Sequence, residues 1–240
     1  MTEELFRRDA YATGCEAKLT AAGEHGVELD RTVFYPMGGG QPGDRGFLRF
    51  EDGFEISVVD TRRVAGRTGI VHVCEAPEAR ERVGQTVQAR IDWKRRFRIM
   101  RVHTTLHLLC AVIPEVGVTG GSIRDDGTGR LDFNLPEPTL DRNHVEAEVN
   151  RLVQENHPVG ARWISEEELD ANPDLVRTMS VAPPRGAGRV RVLDIEGVDL
   201  QPCGGTHVSS TGEIGEVLVK KMEKKGKRNR RINIALADPR

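Results

Sequence analysis

From Trp93 to Val112 the sequence runs for twenty residues without a glycine or a proline. Phe97, Met100, Leu106, Leu109 and Val112 recur along it at helical intervals, which predicts one long helix ended by Pro114. This stretch divides the chain. Before it, CEAKLTAA, GVELDRTVF, GFLRF, FEISVVDT, GIVHV and TVQARI carry alternating or β-branched apolar residues, separated by Gly, Asp and Pro clusters. Six short strands with turns between them predict a small β-barrel or sandwich. After it, a second helix is expected over 140–156, with Val145, Val149, Leu152 and Val153 on one face and Thr139 as its cap. Ser165 with Glu168 opens a shorter helix that stops before Pro173. RVRVLDI, GEVLVKKM and RINIAL then read as strands, the last two joined by the basic turn EKKGKRNR. Helices and strands come in runs, so the expected class is α+β: a β-barrel domain over 1–91 and an α+β domain over 92–240.

A chain of 240 residues is long enough for one large or two modest cores. Its formal net charge of -2 argues against coating nucleic acid wholesale but leaves room for a local basic patch. No run approaches the roughly 18 apolar residues of a membrane span. The opening MTEELFRRDAYATG lacks the apolar centre of a secretory signal, so the expected location is the cytoplasm. Cys15, Cys74, Cys110 and Cys203 are too few and too scattered for a disulfide scaffold. A cysteine near a histidine is then a ligand, a nucleophile or packing.

His103 and His107 stand at i and i+4 on the long helix, which stacks two imidazoles on one face. Alone, H-x-x-x-H is a weak motif, and Thr104 stands where H-E-x-x-H metalloproteases carry their glutamate. In QPCGGTHVSSTGEIG, however, Cys203 and His207 flank a glycine turn able to bring a thiolate and an imidazole to one point. Two pairs together predict one divalent metal per chain, with Zn2+ favoured. Three residues binding with a water would leave the site open for chemistry; four would close it. Cys110 is expected to be a packed thiol, and His25, His72, His144 and His157 have no partner at ligand spacing.

RVHTTLHLL followed by DLQPCGGTHVSSTGEIG resembles the editing domain shared by alanyl-tRNA synthetases and the free-standing alanyl-tRNA editing proteins, the AlaX group; the threonyl-tRNA synthetase editing domain is a more distant relative. YPMGGGQPGDRG looks like the glycine-rich motif of the β-domain that precedes that module, and KKMEKKGKRNRRINIAL matches its closing strands. Thr105 stands where many relatives have alanine, a minor departure.

The resemblance implies a trans-acting, zinc-dependent hydrolase of the two-domain type that deacylates mischarged tRNA(Ala), releasing serine and in some members glycine. No membrane association and no obligate protein partner are expected. Serine differs from alanine by one hydroxyl, and a pocket that hydrogen-bonds it can discriminate by about 10^4. In the segment VTGGSIRDDGTGRLDF, taken as a loop, Thr119 and Ser122 are the candidate readers, Thr119 first by resemblance. Gly38, Gly39, Gly40, Gln41 and Asp44 are candidates for an N–H cradle at the tRNA terminus, or simply a turn between strands. The basic run from Lys220 to Arg231, including Lys224, Lys225, Lys227 and Arg228, is expected to meet tRNA phosphates. Two rivals stand beside this reading: a non-catalytic tRNA-binding module with a closed structural zinc, and a metal-dependent hydrolase of small esters or amides.

Overall fold

Alternation in TVQARI buries Val87, Ala89 and Ile91 and leaves Thr86, Gln88 and Arg90 in water, the signature of a sheet with one face on a core. The computed structural model describes residues 2–64, 66, 69–113, 116–135, 140–179, 186 and 188–238. The chain separates into two units, Met1–Phe97 and Arg98–Arg240.

The first unit contains β1 (Glu3–Glu4), β2 (Gly14–Gly23), β3 (Gly26–Leu29), β4 (Arg31–Thr32), β5 (Gly46–Phe50), β6 (Glu55–Val58), β7 (Asp60–Arg63), β8 (Ile70–Val73) and β9 (Thr86–Ile91). Seven of them form a sheet in the order β6-β5-β9-β2-β3-β8-β7, antiparallel throughout. The pairing order is open, ending at β6 and β7, rather than the closed ring expected of a barrel. A bulge between Leu19 and Ala21 lets β2 pair first with β9 and then with β3. Leu19, Leu29, Val33, Phe34, Leu48, Ile56 and Val87 fill the interior. His72 is also buried, its Nε2 2.8 Å from Thr32 Oγ1 and its Nδ1 3.2 Å from Val27 O. Burial lowers its pKa to about 4, so it packs as a neutral ring.

The glycine-rich segment has a local explanation. Gly38 and Gln41 exchange backbone hydrogen bonds of 3.1 and 3.0 Å, closing a turn in which Gly39 and Gly40 take φ of 57° and 82°. Asp44 accepts from Tyr35 N at 2.6 Å and from Arg96 Nε at 3.0 Å on both oxygens, and both side chains are buried. Arg96 also donates to Val33 O at 2.7 Å and Ala10 O at 3.0 Å. Asp44 is therefore a core anion matched to a guanidinium, which removes it from the exposed part of the expected cradle.

Helix α1 (Trp93–Val112) matches the long helix expected from the sequence, and residues 99–110 are buried on every side. Its polar residues survive there because each has a partner: Arg101 donates to Ile214 O at 2.7 Å and Asp238 O at 3.0 Å, and Thr105 to Arg101 O at 2.9 Å. Pro114 and Thr139 lie outside the described residues.

The second unit continues with β10 (Val118–Ile123), β11 (Thr128–Asn134), α2 (Arg142–Gln154), β12 (Val159–Ser165), α3 (Glu166–Ala171), β13 (Arg189–Ile195), β14 (Asp199–Pro202), β15 (Val217–Lys224) and β16 (Asn229–Leu236). Asp141 caps α2, accepting from Asn143 N and His144 N at 2.7 and 3.1 Å, and Ser165 caps α3 through Glu168 N at 3.0 Å. One sheet has the order β10-β11-β16-β15 and the other β12-β13-β14. The segment taken as a loop is thus the β10–β11 hairpin, with β10 at the sheet edge. A Cβ on Gly129 would lie 2.6 Å from Val102 Cγ1, so that glycine lets β11 approach α1 closely. With both kinds of element gathered in runs, the class is α+β. Among the described residues no helix is long and apolar enough to cross a membrane.

Candidate metal centre

Helix α1 supplies His103 and His107 one turn apart, ring centroids 5.6 Å from each other. The segment after β14 supplies the other two. Cys203 N donates to Arg191 O at 3.1 Å, and Arg191 Nη1 returns to Cys203 O at 2.7 Å and Gly205 O at 3.2 Å. Past His207, Val208 N reaches Thr104 Oγ1 on α1 at 3.4 Å. Ser210 and Glu213 then form a capping box on the turn Thr211–Ile214. The ligand segment is thus held at both ends.

The result is one cluster. Cys203 Sγ lies 3.2 Å from His207 Nε2 and 3.7 Å from His103 Nε2, and the ligand atoms of all four residues fall within 4.8 Å of one another. Zinc bonds of about 2.0–2.3 Å in a tetrahedron separate N and S ligands by roughly 3.3–3.8 Å. The three imidazoles and one thiolate therefore fit a borderline-soft divalent ion with little adjustment.

Two residues outside the four decide how the rings face inward. His107 Nδ1 is 3.0 Å from Asp199 Oδ2, and Gln201 Nε2 donates to the other oxygen at 2.7 Å. His207 Nδ1 is 3.2 Å from Thr104 Oγ1, whose hydroxyl donates to Met100 O at 3.0 Å and so is left to accept from the ring. Each partner fixes a hydrogen on Nδ1 and leaves Nε2 for the cluster. Spacing in the sequence did not mark Asp199 or Thr104, since their roles depend on which ring atom another segment reaches.

Burial opposes charge on His107, but hydrogen bonds to Asp199 and Cys203 outweigh it and raise its pKa to about 10. Burial and the neighbouring His103 lower His207 to about 3. Cys203 is held well below the usual thiol value against its own burial, because His103 and His207 lie beside it. Cys110 is a separate buried thiol, pushed up to about 12 by burial.

The remaining candidates lie elsewhere in their units. Thr119 on β10 hydrogen-bonds Asp132 O at 3.1 Å and Asn229 Oδ1 at 2.7 Å. Ser122 pairs across the hairpin with Arg130. Gly38, Gly39 and Gly40 are exposed, while Gln41 is buried. In the basic hairpin, Lys221 and Lys225 contact Glu223 at 2.9 and 3.5 Å, and Arg231 contacts Asp132 at 2.7 Å. Among the described residues Lys220, Lys224, Lys227 and Arg228 are exposed and make no ion pair.

Residues 190–233 match the family described as the threonyl and alanyl tRNA synthetase second additional domain, and residues 9–95 match class II (A) tRNA synthetases. The alanyl-tRNA editing protein AlaX-M of Methanosarcina acetivorans is 37% identical, covering 99% of this chain and 100% of the relative. The Saccharolobus solfataricus AlaX-M is 35% identical over 97% of this chain and 98% of its own length. The alanine–tRNA ligase of Pyrobaculum neutrophilum is 38% identical over 93% of this chain, which spans 25% of that enzyme. Full-length similarity at this level, together with both matched regions, shows that the chain belongs to the alanyl-tRNA editing proteins of the AlaX family.

Proposed function

We propose that this chain is a trans-editing hydrolase that cleaves the ester bond of mischarged tRNA(Ala), chiefly Ser-tRNA(Ala) and secondarily Gly-tRNA(Ala). The observation that carries this reading is the four-residue cluster of His103, His107, Cys203 and His207 in a chain similar along its whole length to AlaX-M proteins. The cluster would hold one Zn2+, which when bound supplies a Lewis acid that polarises a carbonyl and acidifies a water. Hydrolysis adds water across the ester, returning the ribose hydroxyl to the tRNA and releasing the free amino acid.

The chain's own residues would do the rest. Asp199 and Thr104 hold two ligand rings in register. Thr119 and Ser122 are the proposed readers of the serine hydroxyl; Thr119, already bonded to Asp132 and Asn229, retains a lone pair that can accept from serine. Lys224, Lys227 and Arg228, with Lys225 partly spent on Glu223, would track RNA phosphates, and the exposed Gly38–Gly40 turn would meet the RNA end with Gln41 and Asp44 holding it from beneath. The functional domains are proposed as 1–91 and 92–240. That β6 and β7 are separated only by Val59 supports a barrel whose seam is one bent strand.

Incubation with labelled Ser-, Gly- and Ala-tRNA(Ala) tests the proposal. Serine is expected to be released fastest, glycine more slowly, and alanine spared; no release from either mischarged tRNA would contradict it. Four protein ligands in one cluster also suit a closed structural zinc. In that case the metal-loaded protein would bind tRNA without turnover.

A further inference from the structure

The sheet β12-β13-β14 has two unlike faces. Ile164, Val190 and Val192 pack with Leu169 in a small core on one of them. Directly paired residues of antiparallel strands share a face, so the other carries Trp163 with Arg191, Leu193 with Gln201, and Ile195 with Asp199. Asp199 reaches His107, so this second face is the one turned to the metal centre. The bond from Cys203 N to Arg191 O extends the ladder one residue beyond β14. Trp163, Arg191 and Cys203 therefore stand in one row across three strands, placing the Trp163 and Cys203 backbones about 10 Å apart.

Arg191 is committed to the ligand loop through Cys203 O and Gly205 O. Trp163 is not used that way. It is 52% exposed on β12, an edge strand, whereas its neighbour Ile164 is 2% exposed. Half an indole left in water contributes little to packing, and it presents a flat aromatic surface beside the ligand loop.

The geometry points to Trp163 as a stacking platform for the 3′-terminal nucleobase of the RNA whose ester lies at the metal centre. The inference rests on the proposed editing reaction. In an aminoacyl end, ester and terminal base are separated by one ribose, a span matching a platform two strands from Cys203. Stacking on an indole is tolerant of base identity, so it gives grip and placement rather than sequence reading.

The test uses the full chain, a serylated acceptor-stem RNA with a CCA end, and the same RNA with its terminal base removed. Trp163→Ala is expected to raise KM about tenfold with little change in kcat, and Trp163→Phe to recover most of the loss. The abasic RNA should lose a similar factor with the unaltered protein and nothing further with Trp163→Ala. Binding of the uncharged RNA, read by polarisation of a 5′ label, should follow the same order. Independent, multiplying losses from the variant and the abasic end would overturn the inference, as would an unchanged KM accompanied by a changed oligomeric state. Failure of the unaltered protein to hydrolyse the intact serylated RNA would instead defeat the editing reading, while the binding arm would still report on stacking.

Discussion

At the scale of the residue, the centre depends on two side chains that are not ligands. Asp199 and Thr104 each occupy the Nδ1 of a histidine, so His107 and His207 present Nε2 inward. Removing such a partner typically costs 10- to 100-fold in metal affinity. Asp199→Ala is expected to show that loss in competition with a chromophoric chelator, and Asp199→Asn, which keeps an acceptor, a smaller one. Equal affinity in Asp199→Ala would sink this role. The Asp199 bond also keeps a proton on His107. His107, with a pKa of about 10, carries a proton at neutral pH that a metal must displace, whereas His207, at about 3, is neutral. Affinity should therefore rise with pH from 7 towards 10, because the metal has to displace the His107 proton. Calorimetry in buffers of different ionisation enthalpy reads the release; metal binding at neutral pH with no proton released would contradict it. Thr119→Val tests the reader, which should slow clearance of Ser-tRNA(Ala); an unchanged rate would remove Thr119.

At the scale of the element, His72 ties β3 to β8 as a neutral ring. Its folded pKa of about 4 lies below the 6.5 of an unfolded chain. The first unit should thus keep its full stability above pH 6.5 and lose roughly 3 kcal/mol as pH falls towards 4, because only the unfolded state takes up the proton. Urea unfolding across that window measures it, and His72→Gln should flatten the dependence. The β15–β16 hairpin makes a separate prediction. Replacing Lys224, Lys227 and Arg228 by Gln should weaken tRNA binding and flatten its salt slope by about 0.7–0.9 for each phosphate no longer neutralised. An unchanged slope would take the hairpin off the RNA.

Legibility in the sequence followed the range of the forces involved. Helix α1 was visible because helical spacing is local, yet the burial of residues 99–110 was not: Arg101, Thr104 and Thr105 read as polar and find their partners inside the fold. The segment VTGGSIRDDGTGRLDF reads as a loop, but the β10–β11 ladder makes it a hairpin with β10 as an edge strand. The four cluster residues could be read as two local pairs. Asp199, Gln201 and the row linking Trp163 to Cys203 could not, because they exist only once β12, β13 and β14 are aligned.

At the scale of the whole molecule, an α+β chain similar along its full length to AlaX-M proteins carries, among its described residues, one metal-ligand cluster, all four members of which belong to the second unit. The central claim joins that cluster to turnover. Protein stripped of metal by a chelator should be folded but inactive on Ser-tRNA(Ala), and its activity should return linearly with added zinc to a break at one ion per chain. His103→Ala, folded by circular dichroism, should show no such return. Full deacylation by metal-free protein, or by His103→Ala, would contradict the claim.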